Sequence, residues 1–116
     1  MNKMEINKKD MKALNIEIGE TGDFSNESSL DFALHIIKHK KSWMFELSYL
    51  VRSLLVDHAF RDGNKRTALA LILTYFEDKD IECDKQRIVQ IIHKISKKNI
   101  KDVNKIMRLM KNGTIC

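Results

Sequence analysis

Apolar residues recur along most of the chain at the spacing of helix faces. Leu30, Ala33, Leu34 and Ile37 fall at i, i+3, i+4 and i+7, with Ser28 or Ser29 available as the cap. This pattern fades in the basic run Lys38 to Lys41. A second stripe follows Ser42 and is built by Leu47, Leu50, Val51, Leu54 and Leu55, with Glu46, Ser48 and Arg52 off it. Thr67 to Phe76 is uncharged and apolar on every side, which predicts a buried central helix. Ile88, Ile91, Ile92 and Ile95, behind Asp84, predict another helix. Val103, Ile106, Met107 and Met110 predict a last one, with Asn99 as its cap and Asn112-Gly113 as its stop. The N-terminal stretch is less regular. Met4, Met11 and Leu14 fit a short helix, Ile16-Glu17-Ile18 alternates as a short strand does, and Gly19 to Asp23 reads as a turn.

The expected architecture is therefore all-α, a compact bundle of about five or six helices around the Thr67–Phe76 segment. Composition narrows it further. A chain of 116 residues fits one domain over 1–116. It has no proline and four glycines, which disfavours a sandwich of many short strands and tight hairpins. Hydrophobic residues at 43% and charged residues at 32% are ordinary for a soluble fold and exclude wholesale disorder.

The +5 charge is uneven. Residues 85–116 hold nine Lys/Arg and one acid, Asp102, whereas residues 1–84 are net negative. A solvated helix face is the ordinary reading of such a block. A nucleic-acid surface is disfavoured, because no aromatic residues interleave the cations as stacking platforms. Cys83 and Cys116 are too few and too far apart for a disulfide or zinc framework, and free thiols suit a reducing cytoplasm. Met1 to Asp10 lacks the apolar core of a signal peptide, and the ten-residue run Thr67–Phe76 is too short to span a bilayer, so no membrane partner is expected.

One segment carries chemistry: His58-Ala59-Phe60-Arg61-Asp62-Gly63-Asn64-Lys65-Arg66-Thr67. A helix N-terminus exposes free N–H groups and partial positive charge, so acids are the usual residues there. Lys65 and Arg66 instead open the central helix, an arrangement that a phosphate would relieve. Gly63 suits close backbone approach, and Asn64 suits a cap or a phosphate donor. Asp62 suits a hard cation such as Mg²⁺, and His58 is the one group in the segment able to act as a base near neutral pH. Phe60, the one aromatic residue in this largely polar segment, is expected to point inward and pin the loop. Each residue alone has an ordinary reading as cap, salt-bridge partner or dipole-matched helix end. Their clustering on two helix ends favours a phosphate site. His35, His39 and His93 have no carboxylate or cysteine at ligand spacing and read as structural or surface residues.

HAFRDGNKRTA resembles the signature of the Fic/Doc family, His-Pro-Phe-x-(Asp/Glu)-Gly-Asn-(Gly/Lys)-Arg, at His58, Phe60, Asp62, Gly63, Asn64 and Arg66. The Lys65-Arg66-Thr67-Ala68 continuation and the short helical chain resemble the Doc, "death on curing", toxin branch. The resemblance implies a Fic-like bundle and a transferase acting from ATP with Mg²⁺ on a hydroxyl of a target protein. His58 would take the hydroxyl proton, Asp62 would hold Mg²⁺, and Gly63, Asn64, Lys65 and Arg66 would hold phosphates. Ile16 to Phe24, with Ile18 and Gly22, resembles the β flap that aligns a target segment by strand addition.

Three positions refine this, two of them by contrast with the family's AMP-transferring members, which usually have glycine at 65 and a second arginine at 69. Lysine at 65 and Leu69 in place of a second arginine point away from AMP transfer and toward Doc-like movement of the γ-phosphoryl group, with AMP transfer as the alternative. Ala59 replaces the usual proline without removing a chemical group. The family's self-inhibitory motif, (Ser/Thr)-x-x-x-Glu-(Gly/Asn), has no match; its nearest approach, Ser42 to Glu46, is followed by Leu47. The resemblance thus implies a target protein, such as a translation factor, and a separate antitoxin that restrains the enzyme. The competing reading is a catalytically idle helical module that binds through the basic C-terminal face.

Overall fold

The computed structural model describes residues 6–39 and 42–114, so the expectations for Met4, Lys40, Lys41 and Cys116 lie outside the described residues. Six helices run in order: α1 (Lys8–Glu17), α2 (Glu27–Ile37), α3 (Trp43–Leu55), α4 (Asn64–Asp78), α5 (Lys85–Lys97) and α6 (Val103–Lys111). The all-α expectation holds. Helix α3 is the hub and packs against α2, α4, α5 and α6, while α1 packs on α4 and α2. Leu47, Leu50, Val51 and Leu54 of α3 are fully buried, as are Ala68, Leu71 and Ile72 of α4. Each such Leu, Ile or Val side chain contributes about 1.5–3 kcal/mol through its removal from water. Helices α5 and α6 close the bundle with Ile88, Ile95, Ile106 and Met110. The nine Lys/Arg of residues 85–116, seven of them in these two helices, are all exposed, as a solvated face requires.

Several local expectations are corrected. Ile16-Glu17-Ile18 is not a strand. The Asn7 side chain accepts from the Asp10 N–H and the Asp10 carboxylate accepts from the Asn7 N–H, a reciprocal cap that starts α1. Met11, Leu14 and Asn15 then face inward with helical period, so three alternating residues cannot override it. Ile18 is the C-cap, and Gly19, at φ 101°, turns the chain away. The expected β flap is likewise absent. Among the described residues this region makes one isolated antiparallel bridge, Phe24 with Phe60.

Asn26, not Ser28 or Ser29, caps α2 by accepting from the Ser29 N–H. Asp102, not Asn99, caps α6, and Asn99 instead ends α5 with φ 51°. Ser42 stands at the start of α3 but makes no side-chain cap bond. Helix α4 is central but one-sided: Leu69 and Leu73 are half-buried and Thr74 is exposed.

Candidate active site

The segment from Val56 to Gly63 joins α3 to α4 and is pinned on three sides. On one side it runs beside residues 23–26: the Ser25 and Asn26 N–H groups donate to the Ala59 carbonyl at 2.9 and 3.1 Å, and the Arg61 N–H donates to the Asp23 carbonyl at 2.9 Å. The Phe60 ring is fully buried and stacks on Phe24, with centroids 5.0 Å apart. The Phe60 side chain thus points inward and joins the loop to residue 24. On the second side the loop closes on itself. Asn64 Oδ1 accepts from the Phe60 N–H at 3.0 Å, and Asn64 Nδ2 donates to the Phe60 carbonyl at 2.8 Å. The amide expected to cap α4 or bind phosphate is thus committed to the loop. On the third side, Asn15 of α1 donates to the Asp62 carbonyl at 3.0 Å.

Helix α4 begins at Gly63, which is left-handed at φ 77° and has no side-chain cap. Alone among the six described helices, α4 has neither a capping side chain nor an acid in its first turn. Its first turn instead carries exposed Lys65 and Arg66. Free N–H groups and two cations converge there, an electrostatic arrangement suited to a phosphate.

That turn opens on a cleft of about 520 Å³ lined by Glu20, Leu54, Leu55, His58, Arg61, Asp62, Gly63, Asn64, Lys65, Arg66 and Ser96. The structure thus brings together all the residues expected to act on nucleotide and metal. His58 is exposed on the cleft with a left-handed backbone, φ 53°. Histidine tolerates this region better than most residues, yet at a cost that marks the position as constrained.

The flap residues separate. Ile18 approaches the site through its carbonyl, which accepts from Arg66 Nη1 at 2.9 Å. Gly22 is buried at φ 77°, with its N–H on Asn15 Oδ1. Ile16 lies on the outer face of α1, 50% exposed.

Glu20 and Asn15 escaped the sequence reading. Glu20 Oε1 lies 3.3 Å from Arg66 Nη2. Its side chain also covers Gly63, where an added Cβ would stand 2.5 Å from Glu20 Cγ. Glu20 stands in a glycine-flanked turn, where nothing in the sequence ties it to Arg66. Asn15 did leave a signal, since an asparagine on the apolar stripe of a helix calls for a buried partner.

Among the described residues no group of three or more His, Cys, Asp or Glu side chains could hold a metal by itself. Mg²⁺ needs no such cage, because it keeps waters and commonly takes one carboxylate plus substrate phosphates. Asp62, exposed beside the phosphate-suited helix start, fits that use. Cys83 is not among the cleft residues, and burial, followed by the nearby Asp84, raises its thiol above the ordinary range, the opposite of an activated nucleophile. His35, His39 and His93 are exposed and line no part of the cleft.

A model of the Fic/DOC family matches residues 6–76, from just before α1 to the end of the buried part of α4. The chain belongs to the Fic/DOC family. Fic-family domains are generally protein-modifying transferases and generally use ATP with Mg²⁺. The family match contains the whole His58–Arg66 segment and both residues that hold it from the N-terminal side, Asn15 and Glu20. Helices α5 and α6 lie beyond it, and of their residues Ser96 lines the cleft. No curated protein and no solved structure matches the chain. Among the described residues no helix is long and apolar enough to cross a membrane.

Proposed function

We propose that this Fic/DOC protein is a Doc-like phosphotransferase that moves the γ-phosphoryl group of ATP to a Ser, Thr or Tyr hydroxyl of a cytoplasmic target protein. The observation that carries this reading is the start of α4. It is an uncapped, cation-flanked helix end that faces His58 across one cleft. Lys65 supports the phosphoryl version, because a long cation there takes the space a glycine would leave and supplies charge to a terminal phosphate. Leu69, half-buried one turn after Arg66, supports it too, since no second arginine follows on that face.

In this reading a neutral ring nitrogen of His58 takes the proton of the target hydroxyl. The hydroxyl oxygen then forms a bond to the γ-phosphorus, the bond from that phosphorus to the β-phosphate bridge oxygen breaks, and ADP leaves. Lys65, Arg66 and the N–H groups of α4 stabilise the charge on the phosphates, and Gly63 lets them approach the backbone. Mg²⁺ on Asp62 would neutralise charge shared between the phosphates when bound. The loop at residues 18–23 borders the cleft and is the docking edge for the target segment, a translation factor by the family's example. Restraint by a separate antitoxin protein belongs to the same reading.

The test is labelling of lysate proteins with ATP carrying the label at either the γ or the α position. Label from the γ position alone, lost in His58→Ala, is the expected result. Label from the α position sinks phosphoryl transfer in favour of AMP transfer. No label from either, with salt-sensitive binding through the C-terminal helices, favours the idle module.

A further inference from the structure

Asn15 lies outside the lining of the cleft, yet three segments that build it meet on its side chain. It occupies the last turns of α1 and is 1% exposed. Its Nδ2 donates to the Asp62 carbonyl at 3.0 Å and to Thr67 Oγ1 at 3.1 Å. Its Oδ1 accepts from the Gly22 N–H at 2.9 Å. Both amide hydrogens and the amide oxygen are therefore engaged. Thr67 is fully buried in the first turns of α4, which anchors the amide to a rigid element. The other two partners belong to loops: Gly22 to the segment bordering the cleft, and Asp62 to the motif segment, immediately before the left-handed Gly63.

An asparagine stays favourable in such a place only while all its hydrogen bonds are made. Without it the 62–63 peptide loses its anchor beside a residue of unusual backbone freedom, and the Asp62 side chain turns with that peptide. We propose that Asn15 is a positioning residue. One buried amide fixes the carboxylate assigned to the metal and the docking loop in a single register. The inference rests on the reading of Asp62 as the Mg²⁺-holding group.

Mn²⁺, titrated in the presence of ADP and followed by water-proton relaxation, reports the metal site without turnover. Hydrogen exchange at the Gly22 amide reports the loop. In Asn15→Ala, Mn²⁺ affinity is expected to fall on the order of tenfold, as for loss of an outer-shell partner of a metal ligand, and the Gly22 amide to exchange faster. In Asp62→Asn, Mn²⁺ affinity falls while Gly22 stays protected. Lowered stability with unchanged Mn²⁺ affinity per folded Asn15→Ala molecule overturns the inference alone. Unchanged affinity in Asp62→Asn overturns the Asp62 reading and the inference with it. Where circular dichroism shows Asn15→Ala unfolded, Thr67→Val takes its place. It frees one amide hydrogen and is expected to weaken Mn²⁺ binding in the same direction, and wild-type affinity there overturns the inference.

Discussion

Glu20→Gln removes a negative charge 3.3 Å from the Arg66 guanidinium while keeping the bulk of the side chain over Gly63. In bare Coulomb terms such a pair is worth about 1 kcal/mol in water and about 4 kcal/mol at an effective dielectric of 20. The lower end governs here, because the Arg66 side chain is 61% exposed and that of Glu20 22% exposed. Pairs of that exposure measure about 0.2–1 kcal/mol once screening and side-chain ordering are included. An incoming phosphate must take Arg66 from this carboxylate, so its removal returns about that amount to nucleotide binding. The dissociation constant for Mg–ADP should fall roughly 1.4- to fivefold at low salt, since 1.4 kcal/mol is tenfold. The gain should shrink as ionic strength rises and screening sets in. Isothermal titration calorimetry of wild type and Glu20→Gln at two salt concentrations measures both effects. Equal or weaker binding by the variant, or a gain indifferent to salt, would refute the reasoning that Glu20 and phosphate compete for Arg66.

Three further outcomes follow from the same geometry. His58→Gly removes the base but also relieves a left-handed non-glycine backbone, so labelling should be lost while stability rises by about 0.5–1 kcal/mol in urea unfolding. A destabilised variant contradicts the strain. Phe60→Ala empties a fully buried position stacked on Phe24 and should cost about 3–5 kcal/mol in the same assay, with loss of activity from loop disorder. Tyr75 is buried, and burial, then the charges of Glu46 and Asp78, raise its hydroxyl well above the ordinary 10.0. The unfolded chain therefore loses this proton first. The associated stability is fully present below pH 10.0 and is lost progressively as pH rises above it towards the raised folded value, at about 1.4 kcal/mol per pH unit. Tyr75→Phe should flatten that alkaline fall relative to wild type, and an unchanged difference between pH 9 and pH 11 would count against the burial effect.

The helical period made the architecture legible, because the stripes of α3, α5 and α6 each place one face in the core and leave charges outside. The motif was legible for a different reason. Its residues are adjacent in sequence, and cations at a helix start conflict with the helix dipole unless a ligand is expected. What stayed hidden depends on contacts distant in sequence. Asn15 meets Asp62 and Thr67 only because α1 packs on α4, and Glu20 meets Arg66 only because the α1–α2 connection folds over the start of α4. The misread strand at Ile16–Ile18 has a local cause: three alternating residues are compatible with both periods, and the Asn7–Asp10 cap decides between them. The role of Asn64 was hidden by chemistry rather than distance, since an amide serves a phosphate or a peptide group equally well, and Phe60 lies within its reach.

The closure of the motif loop by Asn64 bears on when order is created. Phe60 has both its backbone polar groups satisfied by one side chain, and Ala59, Arg61 and Asp62 are bonded to residues outside the loop. The entropy of fixing these residues is therefore lost once, when the chain folds, and is not charged against each nucleotide that arrives. Such a loop has its groups at their spacing before any ligand arrives. Binding then selects for ligands that match a rigid template, and a poor match cannot be rescued by letting the loop adapt.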